Sequence, residues 1–175
     1  IVHDGYSLVY LVKYDSNGTL QWQTRIVGDT YQPNDYKHGL GVTASAVYVT
    51  INDALLKFNS DGTYATGIQY TNNNYVSSVS ANNGNLYVGG QSFINSNYYP
   101  WVGQINSDLS SVWNNFISTP AGLGSGGGDV IDVGSSTTNL QFTAWVQRQP
   151  GSGSPNYNDY YIFNTALNGV DTGYY

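Results

Sequence analysis

Two short acidic turns offer the first chemistry in this chain: Asp15-Ser16-Asn17-Gly18 and Asn59-Ser60-Asp61-Gly62. Oxygen-bearing side chains at alternate positions ahead of a glycine are how a calcium loop begins. A complete loop also needs further oxygen ligands and a bidentate Glu at its twelfth position. The chain has no Glu; all eleven of its acidic residues are Asp. Both segments are therefore read as structural turns, and no metal or other cofactor is expected.

Other candidate chemistry is weaker still. Glycoside cleavage needs two carboxyl groups facing one sugar ring, and Asp129 and Asp132 are the candidate pair. Three residues apart in a strand, they are expected on opposite faces. His3 and His38 stand outside any nucleophile-elbow context and, without Cys or Glu, make a poor metal site. The glycine-rich stretch Gly122 to Gly128 lacks the Lys and Ser/Thr of a phosphate-binding loop and reads as a flexible connection. Gln149 to Pro155 reads as an extended loop inserted into the last repeat. No catalytic residue emerges, and the chain is expected not to be an enzyme.

The aromatic residues carry more weight. Tyr98-Tyr99-Pro100-Trp101 and the later Tyr157, Tyr160 and Tyr161 fall in corresponding loop regions of two successive repeats. Aromatic faces beside Asn and Gln donors are the usual materials of a sugar-binding surface. Tyr98, Tyr99, Trp101, Tyr157 and Tyr161 are thus candidate residues for contact with a glycan or a protein. The competing reading is packing between sheets, because alternate residues of Tyr98 to Trp101 must face a core if a strand begins there.

The elements that must position these residues are strands. Charged residues make up only 9% of the 175, aromatics 15% with seventeen Tyr, and Gly is abundant. Such a composition disfavours exposed helix faces and favours strands joined by tight turns. The acidic turns recur: Tyr14 to Trp22 is answered by Phe58 to Thr66, then by Ile105 to Trp113 and Phe163 to Asp171, at intervals of 44, 47 and 58 residues. That period suits one four-stranded unit per repeat. Strand candidates are 40–45, 47–52, 54–59 and 63–70 in the second unit, and 76–81, 85–90, 101–106 and 111–117 in the third. In the fourth they are 130–134, 140–147, 160–164 and 170–175. Leu8 to Val12 is continuously apolar and is expected to be covered on both faces.

Within the turns, Asp15 is expected to cap through its side chain, and Gly18 and Gly62 to take the positive φ of a type I turn with a bulge. Leu109 replaces the glycine in the third copy, so that turn is expected to differ. Trp22 and Trp113 are expected to pack between neighbouring sheets.

The segment Leu11-Val12-Lys13-Tyr14-Asp15-Ser16-Asn17-Gly18-Thr19-Leu20-Gln21-Trp22 resembles β-propeller repeats of the form "aKyd-x-x-G-x-x-x-W". Asn85-Leu86-Tyr87-Val88-Gly89-Gly90 is similar to the second strand of the same repeat. Such repeats occur in bacterial surface proteins and in virion or tail proteins of bacteriophages, including cyanophage-like ones. The resemblance covers most of residues 6 to 117 and weakens beyond. It departs from a sialidase-type Asp box, because Asp15 stands three before Gly18 and Trp22 four after it. The Gly-to-Trp spacing is closer to quinoprotein-type propellers, which supports the packing role of Trp22 and not a quinone cofactor.

The resemblance implies an all-β array of four-stranded antiparallel blades, about three and a half of them, in a single domain over 1–175. The units are approximately 1–30 (a partial blade), 38–70, 76–117 and 128–175. It implies a non-enzymatic structural or adhesion module of a virion or cell surface, presenting loops for assembly or host contact; the alternative is a secreted or cell-surface carbohydrate-binding propeller. Expected partners are other virion proteins, or a host-surface glycan or protein. A homo-oligomer or the remainder of a longer chain would complete the ring, since residue 1 is not Met and the segment is expected to be a processed product or a portion. With net charge −6 and five scattered Lys and Arg, neither nucleic acid nor membrane insertion is expected.

Overall fold

The computed structural model describes residues 2–3, 8–27, 38–51, 53–71, 74–82, 84–95, 97–117, 128–136, 139–148, 157–168 and 171–174. These are all-β. A first sheet has three strands: β1 (Val2–His3), β2 (Leu8–Tyr14) and β3 (Leu20–Val27). The second is β4 (Leu40–Val42), β5 (Ala46–Ile51), β6 (Ala54–Asn59) and β7 (Tyr64–Gln69). The third is β8 (Asn74–Asn82), β9 (Asn85–Ile94), β10 (Asn97–Ile105) and β11 (Ser111–Phe116). The fourth is β12 (Gly128–Ser135), β13 (Asn139–Arg148), β14 (Tyr157–Ala166) and β15 (Asp171–Tyr174). Each sheet is an antiparallel meander in which sequence neighbours pair.

The recurring turn joins the last two strands of the first three sheets. In the first copy the Asp15 carboxylate accepts the backbone N–H of Asn17 and Thr19 at 2.9 and 2.8 Å, and Gly18 has φ +79°. In the second, Asp61 accepts the N–H and hydroxyl of Thr63, and Gly62 has φ +85°. The third copy departs from expectation. Its turn closes in the same way, with Leu109 N–H donating to the Asn106 carbonyl at 2.9 Å as Gly62 N–H does to Asn59 at 3.0 Å. Leu109 itself takes φ +72°. A Cβ in that region is disfavoured by roughly 1–2 kcal/mol, but Leu109 is only 4% exposed and joins a core with Ala46, Tyr48, Leu55 and Trp101. Burying a leucine contributes about 1.5–3 kcal/mol, so packing outweighs the backbone strain.

The sheets stack in chain order, and three apolar clusters mark the three interfaces. Leu11, Val47, Val49 and Phe58 join the first sheet to the second. Tyr48, Leu55, Val88 and Trp101 join the second to the third, and Tyr87, Val102, Phe142 and Phe163 the third to the fourth. Polar contacts repeat across two of these interfaces. Lys13 Nζ and Trp22 Nε1 donate to the Ser60 carbonyl at 3.3 and 3.0 Å, and one sheet later Lys57 Nζ donates to the Ser107 carbonyl at 2.7 Å. Each lysine thus holds the turn of the following sheet. Trp113, in the third sheet, packs against the third cluster and donates its indole N–H to Gln104.

Leu8 to Val12 is not covered on both faces. Val9 and Leu11 are buried toward the second sheet, whereas Tyr10 and Val12 are only half-buried and Tyr14 is exposed. Among the described residues each sheet pairs only within itself. The fourth sheet presents Tyr160 and Ile162, both more than half exposed.

Candidate functional site

The aromatic segment lies in a strand rather than a loop. β9 and β10 are joined by a tight hairpin around Asn95, whose φ is +49°, and pairing runs unbroken from Asn97↔Ile94 to Ile105↔Leu86. Tyr98, Tyr99, Pro100 and Trp101 therefore alternate between the two faces of the third sheet. Tyr99 and Trp101 share the face turned to the second sheet. Tyr98 lies on the other face, its ring 4.8 Å from that of Phe93, and both rings are more than a third exposed.

The fourth-sheet candidates also lie in a strand. Tyr161 pairs with Ala144, sits 5.9 Å from the Phe163 ring and packs against the third interface. Its hydroxyl donates to Asp159 at 3.5 Å. Tyr157 opposes Arg148 in the ladder, and its side chain lies outside the described residues. The five candidates do not form one platform: Tyr99 and Trp101 come together, while Tyr98 and Tyr161 belong to the opposite side of the third sheet.

Around Trp101 the structure forms a cleft of about 190 Å³ lined by Tyr70, Asn74, Ser92, Asn114, Asn115 and Phe116. These residues come from the ends of β8, β9 and β11 and the connection before β8, gathered beside Trp101 of β10 toward the end of the sheet where β9 turns into β10. The register explains the gathering, because Asn74 pairs with Ser92, and Trp101 with Phe116. The rings of Tyr70 and Trp101 are 5.6 Å apart, inclined by 39°. Ser92 Oγ donates to Asn74 Oδ1, and Asn74 Nδ2 donates to the Thr71 carbonyl at 2.7 Å. This pair fixes one polar wall.

One buried polar group of the cleft has no hydrogen-bond partner among the described residues. The indole N–H of Trp101, in a side chain only 7% exposed, meets no acceptor. Leaving such a donor unsatisfied costs about 1–3 kcal/mol. Burial pushes the Tyr70 phenol up to about 12, so it stays a neutral donor near pH 7. Among the described residues no charged side chain lines the cleft.

The remaining candidates serve the scaffold. The turn carboxylates are occupied by their own turns, and hydrogen bonds from Thr63 and Ser110 hold Asp61 and Asp108 below the usual carboxylate range. Asp129 and Asp132 correct the expectation of opposite faces. A bulge in β12 between Val130 and Asp132 lets both reach β8, where Ser77 donates to Asp129 at 2.9 Å and Ser78 to Asp132 at 3.2 Å. Asp129 is buried in that contact. His38 is half-buried at the start of the second sheet, and the His3 side chain is not described. The loops 122–127 and 149–155 lie outside the described residues.

Tyr70, Asn74, Ser92, Asn114 and Phe116 were not among the sequence candidates. Asn74, Ser92, Asn114 and Phe116 share a face with Trp101 once the register is known, and Tyr70 meets it from the connection before β8. No protein-family model matches the chain, and no curated protein matches it either.

Proposed function

We propose that the chain is a non-enzymatic structural or adhesion module, a segment of a β-propeller of the virion, phage-tail or bacterial-surface kind. It would present the end of the stack where β9 turns into β10 for assembly or host-surface contact. The supporting observation is the repeated lysine contact, Lys13 to Ser60 and Lys57 to Ser107. A constant relation between successive sheets is what radial stacking requires. Small polar residues also let the first strands of neighbouring sheets approach, with Ser80 and Ser135 hydroxyls 3.1 Å apart and Asn82 donating to the Ser136 carbonyl at 2.6 Å. Such convergence suits strands near a propeller axis.

Electron-microscopy class averages should show the sheets fanned about an axis, and an elongated ribbon would overturn the propeller. Retention of the protein by isolated bacterial envelopes, or incorporation into virions, checks the surface role; failure of both would remove it.

A second reading, a lectin-like carbohydrate-binding propeller, is favoured by the cleft around Trp101. A glycan array tests it, and a blank array would overturn it.

A further inference from the structure

We infer that the exposed face of the fourth sheet, around Ile162 and Tyr160, docks onto the Tyr14 face of the first sheet in a second copy of this chain. The inference goes beyond the surface-module reading and rests only on the observed stacking of the sheets.

The register aligns the four sheets position by position. In each, the ladder between the last two strands shifts just before the turn: at Lys13/Tyr14, Lys57/Phe58, Gln104/Ile105 and Phe163/Thr165. Tyr14, Phe58, Ile105 and Thr165 therefore form one row. Thr165 lies two residues beyond Phe163, where the sequence places the fourth copy. Three residues earlier stand Leu11, Leu55, Val102 and Ile162, a second row on the opposite face.

This second row turns toward the following sheet. Leu11 clusters with Val47 and Val49, Leu55 with Val88, and Val102 with Phe142. These three are at most 3% exposed, whereas Ile162 is 53% exposed. The first row turns toward the preceding sheet, Phe58 clustering with Leu11 and Ile105 with Leu55. Phe58, Ile105 and Thr165 are at most 4% exposed, whereas Tyr14 is 59% exposed. The turns repeat the contrast. A Cβ at Gly62 would strike Trp22 of the preceding sheet and Leu109 is buried, but a Cβ at Gly18 would meet nothing within 4 Å.

Three interfaces within the chain thus show what covers each face: the Leu11 side of one sheet meets the Tyr14 side of the next. Ile162 and Tyr14 are the exposed members of the two rows, so each copy carries both halves of a further interface of the same kind. Both are exposed within one copy, so the junction forms between copies. Tyr14 and Tyr160 suit a contact made after folding, because tyrosine buries its ring while its hydroxyl keeps a polar partner. Two unlike faces meet, and such head-to-tail contacts close into rings or run on as filaments. Two copies of four sheets would bring eight into a closed ring, within the four to eight blades that propellers use.

The test uses the full 175-residue chain. Sedimentation at rising concentration should show mass above the 19.0 kDa of one copy, and a single copy throughout would overturn the inference. Ile162→Asp and Tyr14→Asp each carry a charge into the junction, and each alone should weaken assembly about tenfold or more. Melting temperature in dilute solution should stay unchanged, since both side chains are exposed in one copy.

Mixing the two variants is the sharper measurement. The Ile162→Asp copy keeps an intact first sheet and the Tyr14→Asp copy an intact fourth, so the mixture should regain a two-copy complex. Undiminished assembly of either variant alone would mean that like faces meet and would overturn the contact, as would a mixture that stays monomeric. Should an aspartate variant unfold, Ile162→Thr and Tyr14→Ser give the same comparisons with smaller changes.

Discussion

Trp22 and Gly62 meet so closely that a Cβ at position 62 would stand 2.7 Å from Cδ2 and Cε3 of the indole. The same tryptophan donates to the Ser60 carbonyl, and Thr24 beside it donates to the Gly62 carbonyl at 2.6 Å. One sheet later the sizes are reversed. Thr66 occupies the position of Trp22, Leu109 that of Gly62, and the turn now carries the bulky group.

Gly62→Ala should therefore destabilise the protein far more than Gly18→Ala. Both glycines have positive φ, so each alanine incurs about 1–2 kcal/mol of backbone strain. A Cβ at position 18 would meet nothing within 4 Å, and only position 62 adds a clash. Urea titrations should place Gly62→Ala at least 1 kcal/mol below Gly18→Ala. In a Trp22→Ala background that gap should shrink, because the clash partner is gone.

Leu109→Gly should lower stability although it relieves the backbone. The relief is about 1–2 kcal/mol, whereas removing a buried leucine side chain costs about 2–5 kcal/mol. A net loss of about 2 kcal/mol, within a range of about 0–4, is expected by chemical denaturation, and a gain would show that the turn conformation matters more than the core contact.

Stability should fall between pH 10 and 12. Tyr70 ionises near 10 in the unfolded chain and near 12 in the fold. Over that window the native state holds a proton the unfolded state has released, so unfolding becomes easier as pH rises. Burial also raises Tyr48 and Tyr87. Tyr70→Phe should flatten the melting-temperature profile in this range, and phenolate absorbance should show the late titration directly.

At low pH the turns should weaken. Hydrogen bonds from Thr63 and Ser110 depress Asp61 and Asp108 below 3.8, so their contribution is present above that value and lost as pH falls through the depressed one. Asp61→Ala should lower the melting temperature at neutral pH and make little difference near pH 2. An equal effect at both would mean the carboxylate charge is irrelevant.

The turns and the strand order were the most legible parts, because their causes are local. Asp15 bonds to residues two and four ahead, and Gly18 supplies a conformation that neighbours alone demand. Leu109 misled because its compensation comes from Tyr48 and Leu55, some fifty to sixty residues away. The strands on either side of Asn95 run longer than the sequence predicts for a related reason. A tight turn at a non-glycine residue carries little local signal, so Tyr98 to Trp101 read as a loop when they pair fully with β9.

What the sequence by itself determined is the all-β class, the repeating unit and the chemistry of its corners. Periodicity and turn propensity act over a few residues and survive without knowledge of neighbours. Only the tertiary structure decided which aromatics share a face and which polar groups remain without partners. The cleft joins Tyr70 to Trp101 and to the exposed end of β11 through strand register and sheet stacking, and both depend on contacts between residues far apart in the chain.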